Sequence, residues 1–131
     1  MAGESAEPTR VLIADDEVDV RELLAEMIRR EPELELVAVA RNAAQAVELA
    51  ERERPDVAII DAHMPEGGGV HALQEIAGRV PETAMIVLSA FDSQAKVVEH
   101  LDAGAIAYLV KPVTRAELVA TLERAVAAHR S

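Results

Sequence analysis

The chain has 131 residues, half of them hydrophobic, which is enough to bury one core and too few for two. Its 13 basic and 24 acidic residues give a formal net charge of -11, which argues against direct nucleic-acid binding and suits a basic partner, a divalent cation or a solvated acidic surface. The absence of cysteine excludes disulfides, a thiolate metal site and a cysteine nucleophile, and fits a reduced cytoplasmic location.

Met1 to Thr9 is small and polar and is expected to be flexible; with Glu4, Glu7 and Pro8 and no apolar centre it does not read as a signal peptide. Val11 to Ala14 reads as the first buried strand, ending at Asp15-Asp16-Glu17. A helix follows, with Val20, Leu23, Leu24, Met27 and Ile28 on one face, acids at its start and Pro32 beyond its end. Leu36 to Ala40 is a second strand. Asn42 is placed to cap the next helix, whose Ala43, Ala46, Val47 and Ala50 form a narrow stripe before Pro55. Val57 to Ile60 is an unbroken apolar run bounded by turn residues, the pattern of a strand buried on both faces, and Asp61 stands at its end.

Met64-Pro65 and Gly67-Gly68-Gly69 predict an open loop. The glycines match neither Gly-x-Gly-x-x-Gly nor P-loop spacing, so a mobile loop is expected rather than a phosphate cradle. Val70, Leu73 and Ala77 mark a third helix, stopped near Val80-Pro81. Met85 to Leu88 is a fourth strand, ending at Ser89. Val97, Val98 and Leu101 mark a short fourth helix that Gly104 terminates. Ile106 to Val110 is the fifth strand, running into Lys111-Pro112. Thr114 to Glu117 is a capping box that opens the last helix, lined on its buried side by Leu118, Val119, Leu122, Ala125 and Val126; His129-Arg130-Ser131 reads as a polar tail. No apolar run approaches the length of a membrane span.

Five strands alternating with five helices predict βαβ units, a parallel sheet and helices on both of its faces. Ligands of such sheets bind outside the carboxyl ends of the strands. Four strands end there in groups with chemistry: Asp15-Asp16, Asp61, Ser89 and Lys111. Each has a plain alternative. Asp61 can cap the next helix, Asp15 and Asp16 can serve a helix dipole, Ser89 can be a strand-end hydroxyl, and Lys111 a surface lysine. Their shared edge favours a site. Carboxylates brought together there raise one another's pKa values unless a cation sits among them, and a few hard oxygen ligands with room for water suit Mg²⁺. With a lysine and a hydroxyl added, the set suits a phosphoryl group.

Leu12-Ile13-Ala14-Asp15-Asp16-Glu17, Asp61-x-x-Met64-Pro65 with Gly69 beyond, Leu88-Ser89-Ala90-Phe91 and Tyr108-x-x-Lys111-Pro112 follow one another in order. On these motifs the chain from Arg10 to Ala128 resembles the receiver domain of bacterial two-component response regulators. The resemblance implies a flavodoxin-like sheet in the order 2-1-3-4-5 and a receiver domain over residues 10–129, between a flexible segment 1–9 and a tail 130–131. It implies that Asp61 accepts a phosphoryl group from a sensor histidine kinase or phosphotransfer protein, with no other enzyme activity than its own phosphorylation and dephosphorylation. Asp16 would hold Mg²⁺ directly, Asp15 would bind it through water or assist, and the backbone carbonyl of His63 would be a further ligand beside Asp61. Lys111 and the amides of Ala62 and Ala90 would meet the phosphoryl oxygens. Ser89 would swing its hydroxyl towards them, and Tyr108, the only tyrosine, would follow inward. The Lys111-Pro112 bond is expected to be cis. The output would be a shift in the face of the fourth helix, fifth strand and fifth helix, read by an output domain, a partner or a second copy.

His63 lies two residues past Asp61, and Phe91 two past Ser89. From position alone, their bulk is expected to hinder an attacking water. Three rival readings differ. A phosphatase of the haloacid dehalogenase type carries Asp-x-Asp, where this chain has His63 as the second residue, and it needs room for a cap. A docking module that is never phosphorylated has no use for Asp15, Asp16, Asp61 and Lys111 together. A zinc pair at Asp61 and His63 lacks a third ligand at a sensible spacing.

Overall fold

A computed structural model describes residues 7–64 and 68–130. Residues 1–6, 65–67 and 131, which hold most of the expected flexible segment, the start of the glycine run and the last tail residue, lie outside the described residues. The elements run β1 (Thr9–Ala14), α1 (Val18–Arg29), β2 (Leu34–Ala40), α2 (Ala43–Glu53), β3 (Val57–Asp61), α3 (Gly68–Arg79), β4 (Ala84–Ser89), α4 (Gln94–Ala103), β5 (Ala107–Val110) and α5 (Arg115–Arg130). All strand pairs are parallel, in the order β2-β1-β3-β4-β5, as expected.

Alternation along the strands divides the core in two. Val11, Ile13, Val57, Ile59, Ile86 and Leu88 point to the side covered by α1 and α5, where Leu24, Ile28, Leu118 and Leu122 meet them. Leu12, Ala14, Ala58, Ile60 and Val87 point to the other side, against Ala46 and Ala50 of α2 and Leu73 and Ile76 of α3. Both faces are covered, which is why the strands read as unbroken apolar runs. The small-residue stripe of α2 is buried as predicted, and the Asn42 side chain caps that helix by accepting from the Gln45 amide at 2.7 Å. The capping box of α5 closes in both directions, Glu117 N–H to Thr114 Oγ1 at 3.0 Å and Thr114 N–H to Glu117 Oε1 at 2.8 Å. The Lys111-Pro112 bond is cis.

Four local expectations change. In α1 Leu24 and Ile28 are buried and Val20 and Met27 pack beside them as expected, but Ala25 is buried as well and Leu23 is 57% exposed. In α4 the inward residues are His100 and Ala103, and Val98 and Leu101 face out. The last helix continues through Arg130, so His129 and Arg130 are not a tail. Arg130 pairs with Asp56 at 2.8 Å, and His129 Nε2 donates to the Pro81 carbonyl at 2.7 Å. Asp56 Oδ2 also accepts the Arg10 amide at 2.8 Å, which ties the end of α5 to the amino edge of the sheet.

The fourth change concerns the glycines. Gly68 (φ +69°) and Gly69 form the first residues of α3 rather than a loop. A Cβ on Gly69 would lie 2.8 Å from the Asp61 carbonyl oxygen and 2.9 Å from Ala62 Cα, and the Gly69 amide donates to the Ala62 carbonyl at 3.1 Å. Glycine is required there because α3 starts against the strand end that carries Asp61. Gly69→Ala is therefore expected to destabilise the fold by about 1–3 kcal/mol in urea unfolding. Gly78→Ala, in the same helix with nothing within 4 Å of its Cβ, is expected to stabilise it by about 0.5–1 kcal/mol. Equal effects at the two positions would refute the close-approach argument.

Candidate functional site

Parallel register aligns the strand ends. Ala14 pairs with Ile60, Asp61 with Leu88, and Ser89 with Val110, so Asp15, Asp61, Ser89 and Lys111 emerge along one edge. Asp61 is the last residue of β3 and does not cap α3, which starts at Gly68. The edge opens into a cavity of about 350 Å³ lined by Asp16, Glu17, Asp61, His63, Ala90, Phe91 and Lys111.

Lys111 Nζ lies 3.3 Å from Asp61 Oδ1 and 3.4 Å from Asp15 Oδ2. Asp15 is fully buried, and its Oδ1 accepts the Glu17 amide at 2.9 Å. Asp16 is exposed at the mouth. One carboxylate oxygen from each of Asp15, Asp16 and Asp61 can be chosen so that all lie within 4.8 Å of one another. Asp61 is only 4% exposed. Burial, and then the charge of Asp15, push its carboxyl up to about 6, against the opposing pull of Lys111 and of the His63 backbone N–H. Burial also acts to lower the Lys111 ammonium, but the charges of Asp61 and Asp15 outweigh it and hold lysine above its ordinary value. One lysine thus faces more carboxylate charge than it neutralises. Hard oxygen donors with uncompensated negative charge, at a cavity open to water, fit Mg²⁺. The His63 imidazole is not part of this cluster.

The amide assignment changes by one residue. The Ala62 N–H donates to the Leu88 carbonyl at 2.9 Å, continuing the β3–β4 ladder past the last strand residue, and is spent there. The next amide, that of His63, faces the Asp61 carboxylate and acts to lower its pKa. Ala90 lines the cavity. The rings of His63 and Phe91 meet across the mouth with centroids 5.8 Å apart and planes tilted by 55°. Ser89 is buried, and its Oγ accepts the Phe91 amide at 3.0 Å. Tyr108 is half-buried, and its hydroxyl donates to the Phe91 carbonyl at 2.8 Å. The motif residues are therefore joined into one network, from Ser89 through Phe91 to Tyr108.

Residues 11–123 match the family described as the response regulator receiver domain. A curated relative, the transcriptional regulatory protein PdtaR of Mycobacterium tuberculosis (strain ATCC 25618 / H37Rv), is 44% identical over 127 residues, which is 97% of this chain and 61% of the relative. The chain thus spans 61% of that relative's length. The response regulator domain of Thermotoga maritima CheB is 29% identical with a TM-score of 0.85, covering 92% of this chain and 98% of that one. The CheX-CheY-BeF3-Mg complex from Borrelia burgdorferi contains a chain 25% identical with a TM-score of 0.86, covering 93% of this chain and 92% of that one.

Proposed function

This chain belongs to the response regulator receiver domain family, and on that premise we propose that Asp61 is its phosphoryl acceptor. The observation that carries the assignment is the position of Asp61: buried at the end of the central strand, 3.3 Å from Lys111 and clustered with Asp15 and Asp16. The donor is a phosphohistidine on a sensor histidine kinase or phosphotransfer protein. An Asp61 carboxylate oxygen attacks phosphorus, the P–O bond forms, the P–N bond breaks, and the donor imidazole leaves with a proton. Lys111 pairs with a phosphoryl oxygen, and the amides of His63 and Ala90 and the Ser89 hydroxyl complete the donors around it. Asp15, Asp16 and Asp61, with the backbone carbonyl of His63, would hold Mg²⁺, which when bound neutralises charge on the phosphoryl oxygens. The magnesium and beryllofluoride in the Borrelia complex support that reading.

The chemistry ends with the domain's own acylphosphate and its hydrolysis; no separate substrate is turned over. The state of Asp61 is read through the face of α4, β5 and α5, where Val98, Leu101, Ile106 and Val110 stand exposed. The reader is an output domain, a partner or a second copy. The domain is read as cytoplasmic, and among the described residues no helix is long and apolar enough to cross a membrane. It does not bind nucleic acid directly, in keeping with its net charge of -11.

His63 and Phe91 cover the mouth through which a hydrolytic water must approach in line with the Asp61 phosphate. His63→Ala and Phe91→Ala are each expected to shorten the phosphate lifetime by about threefold or more, ~0.7 kcal/mol off the hydrolytic barrier. The decay of the phosphorylated mass after removal of the donor measures it. A lifetime that neither change alters would remove the lid role.

A further inference from the structure

His100 is a buried titratable side chain that the acceptor chemistry does not use. It is 2% exposed on α4, where the sequence pattern called for Val98 and Leu101 to point inward. Its Nδ1 lies 2.7 Å from the Lys96 carbonyl one turn earlier. A carbonyl oxygen only accepts, so Nδ1 carries a proton and donates it there. Nε2 is buried and has no partner among the described residues. Its desolvation is therefore uncompensated, and an apolar ring of similar size would avoid that cost. The same ring meets Tyr108 edge-on, centroids 5.5 Å apart and planes at 68°.

Tyr108 is thus held at two points on two different segments. Its hydroxyl is fixed to the Phe91 carbonyl, next to the Ser89 that Phe91 also contacts. Its ring is fixed against an imidazole whose orientation is tied to the backbone of α4. The path from Ser89 to Phe91, Tyr108, His100 and Lys96 is continuous in contacts and ends on a helix carbonyl. An untethered phenyl ring could rotate or slide as the tyrosine moved; the tethered imidazole moves with its helix.

We propose that His100 is a positioning residue for Tyr108, coupling the tyrosine to α4 so that a change at Asp61 reaches that helix. The inference rests on the reading of Asp61 as the phosphoryl acceptor. His100→Phe keeps a buried ring and removes both the tether and the orphan nitrogen, whereas His100→Ala removes the ring itself.

The test uses the full chain, with beryllofluoride and Mg²⁺ as the phosphoryl mimic. Tyrosine fluorescence reports Tyr108 alone, because the chain has one tyrosine and no tryptophan. Backbone amide shifts of Gln94 to Ala103 report α4. In His100→Phe the melting midpoint is expected to hold or rise, and the affinity for the mimic to stay within about twofold of wild type, while the α4 amide response falls by about half or more. An α4 response reduced by less than that, with the mimic bound, overturns the coupling and leaves the acceptor reading intact. No response to the mimic in the wild type overturns the acceptor reading and the coupling with it. Because His100→Phe preserves the core ring, loss of fold in His100→Ala alone does not decide the outcome.

Discussion

Asp61→Asn takes up no phosphoryl group from a small-molecule phosphodonor in Mg²⁺, whereas the wild type gains one, read as a single added phosphoryl mass on the intact chain. The amide keeps the shape of the side chain and nearly all of its packing, so a lost adduct reports chemistry and not a damaged fold. What it lacks is an anionic oxygen able to form the acylphosphate. The wild type must also fail to react when Mg²⁺ is withheld, because Asp15 and Asp16 then add to the negative charge that an incoming phosphoryl group meets. Retention of the adduct in Asp61→Asn would move the acceptor to another residue. Lys111→Met is expected to lose most of the uptake while leaving Asp61 in place, since its ammonium is the cation within reach of that carboxylate among the described residues.

The site was legible in the sequence because its residues sit at element ends. A parallel sheet sends all carboxyl ends to one edge, so the order of elements alone brought Asp15, Asp61, Ser89 and Lys111 together. What could not be read depends on contacts between segments distant in the chain. The Ala62 amide is spent because the β3–β4 ladder runs one bond past the last strand residue, and no local pattern counts that bond. Gly69 is fixed by how closely α3 approaches the Asp61 carbonyl, a tertiary distance, so in sequence it looked like loop glycine. Arg130 ends α5 and pairs with Asp56, 74 residues away, a contact no local pattern announces. His100 reads as polar and was assigned to no buried face, yet it faces inward against Tyr108, while Val98 and Leu101 on the same helix face out. Hydropathy periodicity locates a helix reliably and orients it only where one neighbour covers a full face; α4 packs mainly against α3 and only in part on the short edge strand β5.

The same Asp61 carboxylate gives the stability of the metal-free protein a definite pH signature. Its carboxyl titrates near 6 when folded, against an ordinary value of 3.8. Between those values the native state binds more protons at this group than the unfolded state does, so its contribution to stability falls as pH rises through the window. At one pKa unit per about 1.4 kcal/mol, the penalty above pH 6 is on the order of 2–3 kcal/mol. In urea unfolding without Mg²⁺, Asp61→Asn is therefore expected to be more stable than the wild type at pH 7 by about 2 kcal/mol, and the gap to close on acidification towards pH 4. Mg²⁺ should reverse the order of events: a cation that binds the native carboxylates and not the unfolded chain stabilises the wild type, and does so less in Asp61→Asn, which offers one charge fewer. A wild type that gains nothing from Mg²⁺ relative to the variant, or a gap that widens towards pH 4, would show that the cluster is not a strained cation site. The closure of that gap by Mg²⁺ would identify what the three carboxylates are kept together for, since in its absence the burial of Asp61, and then the charge of Asp15 beside it, weaken the fold.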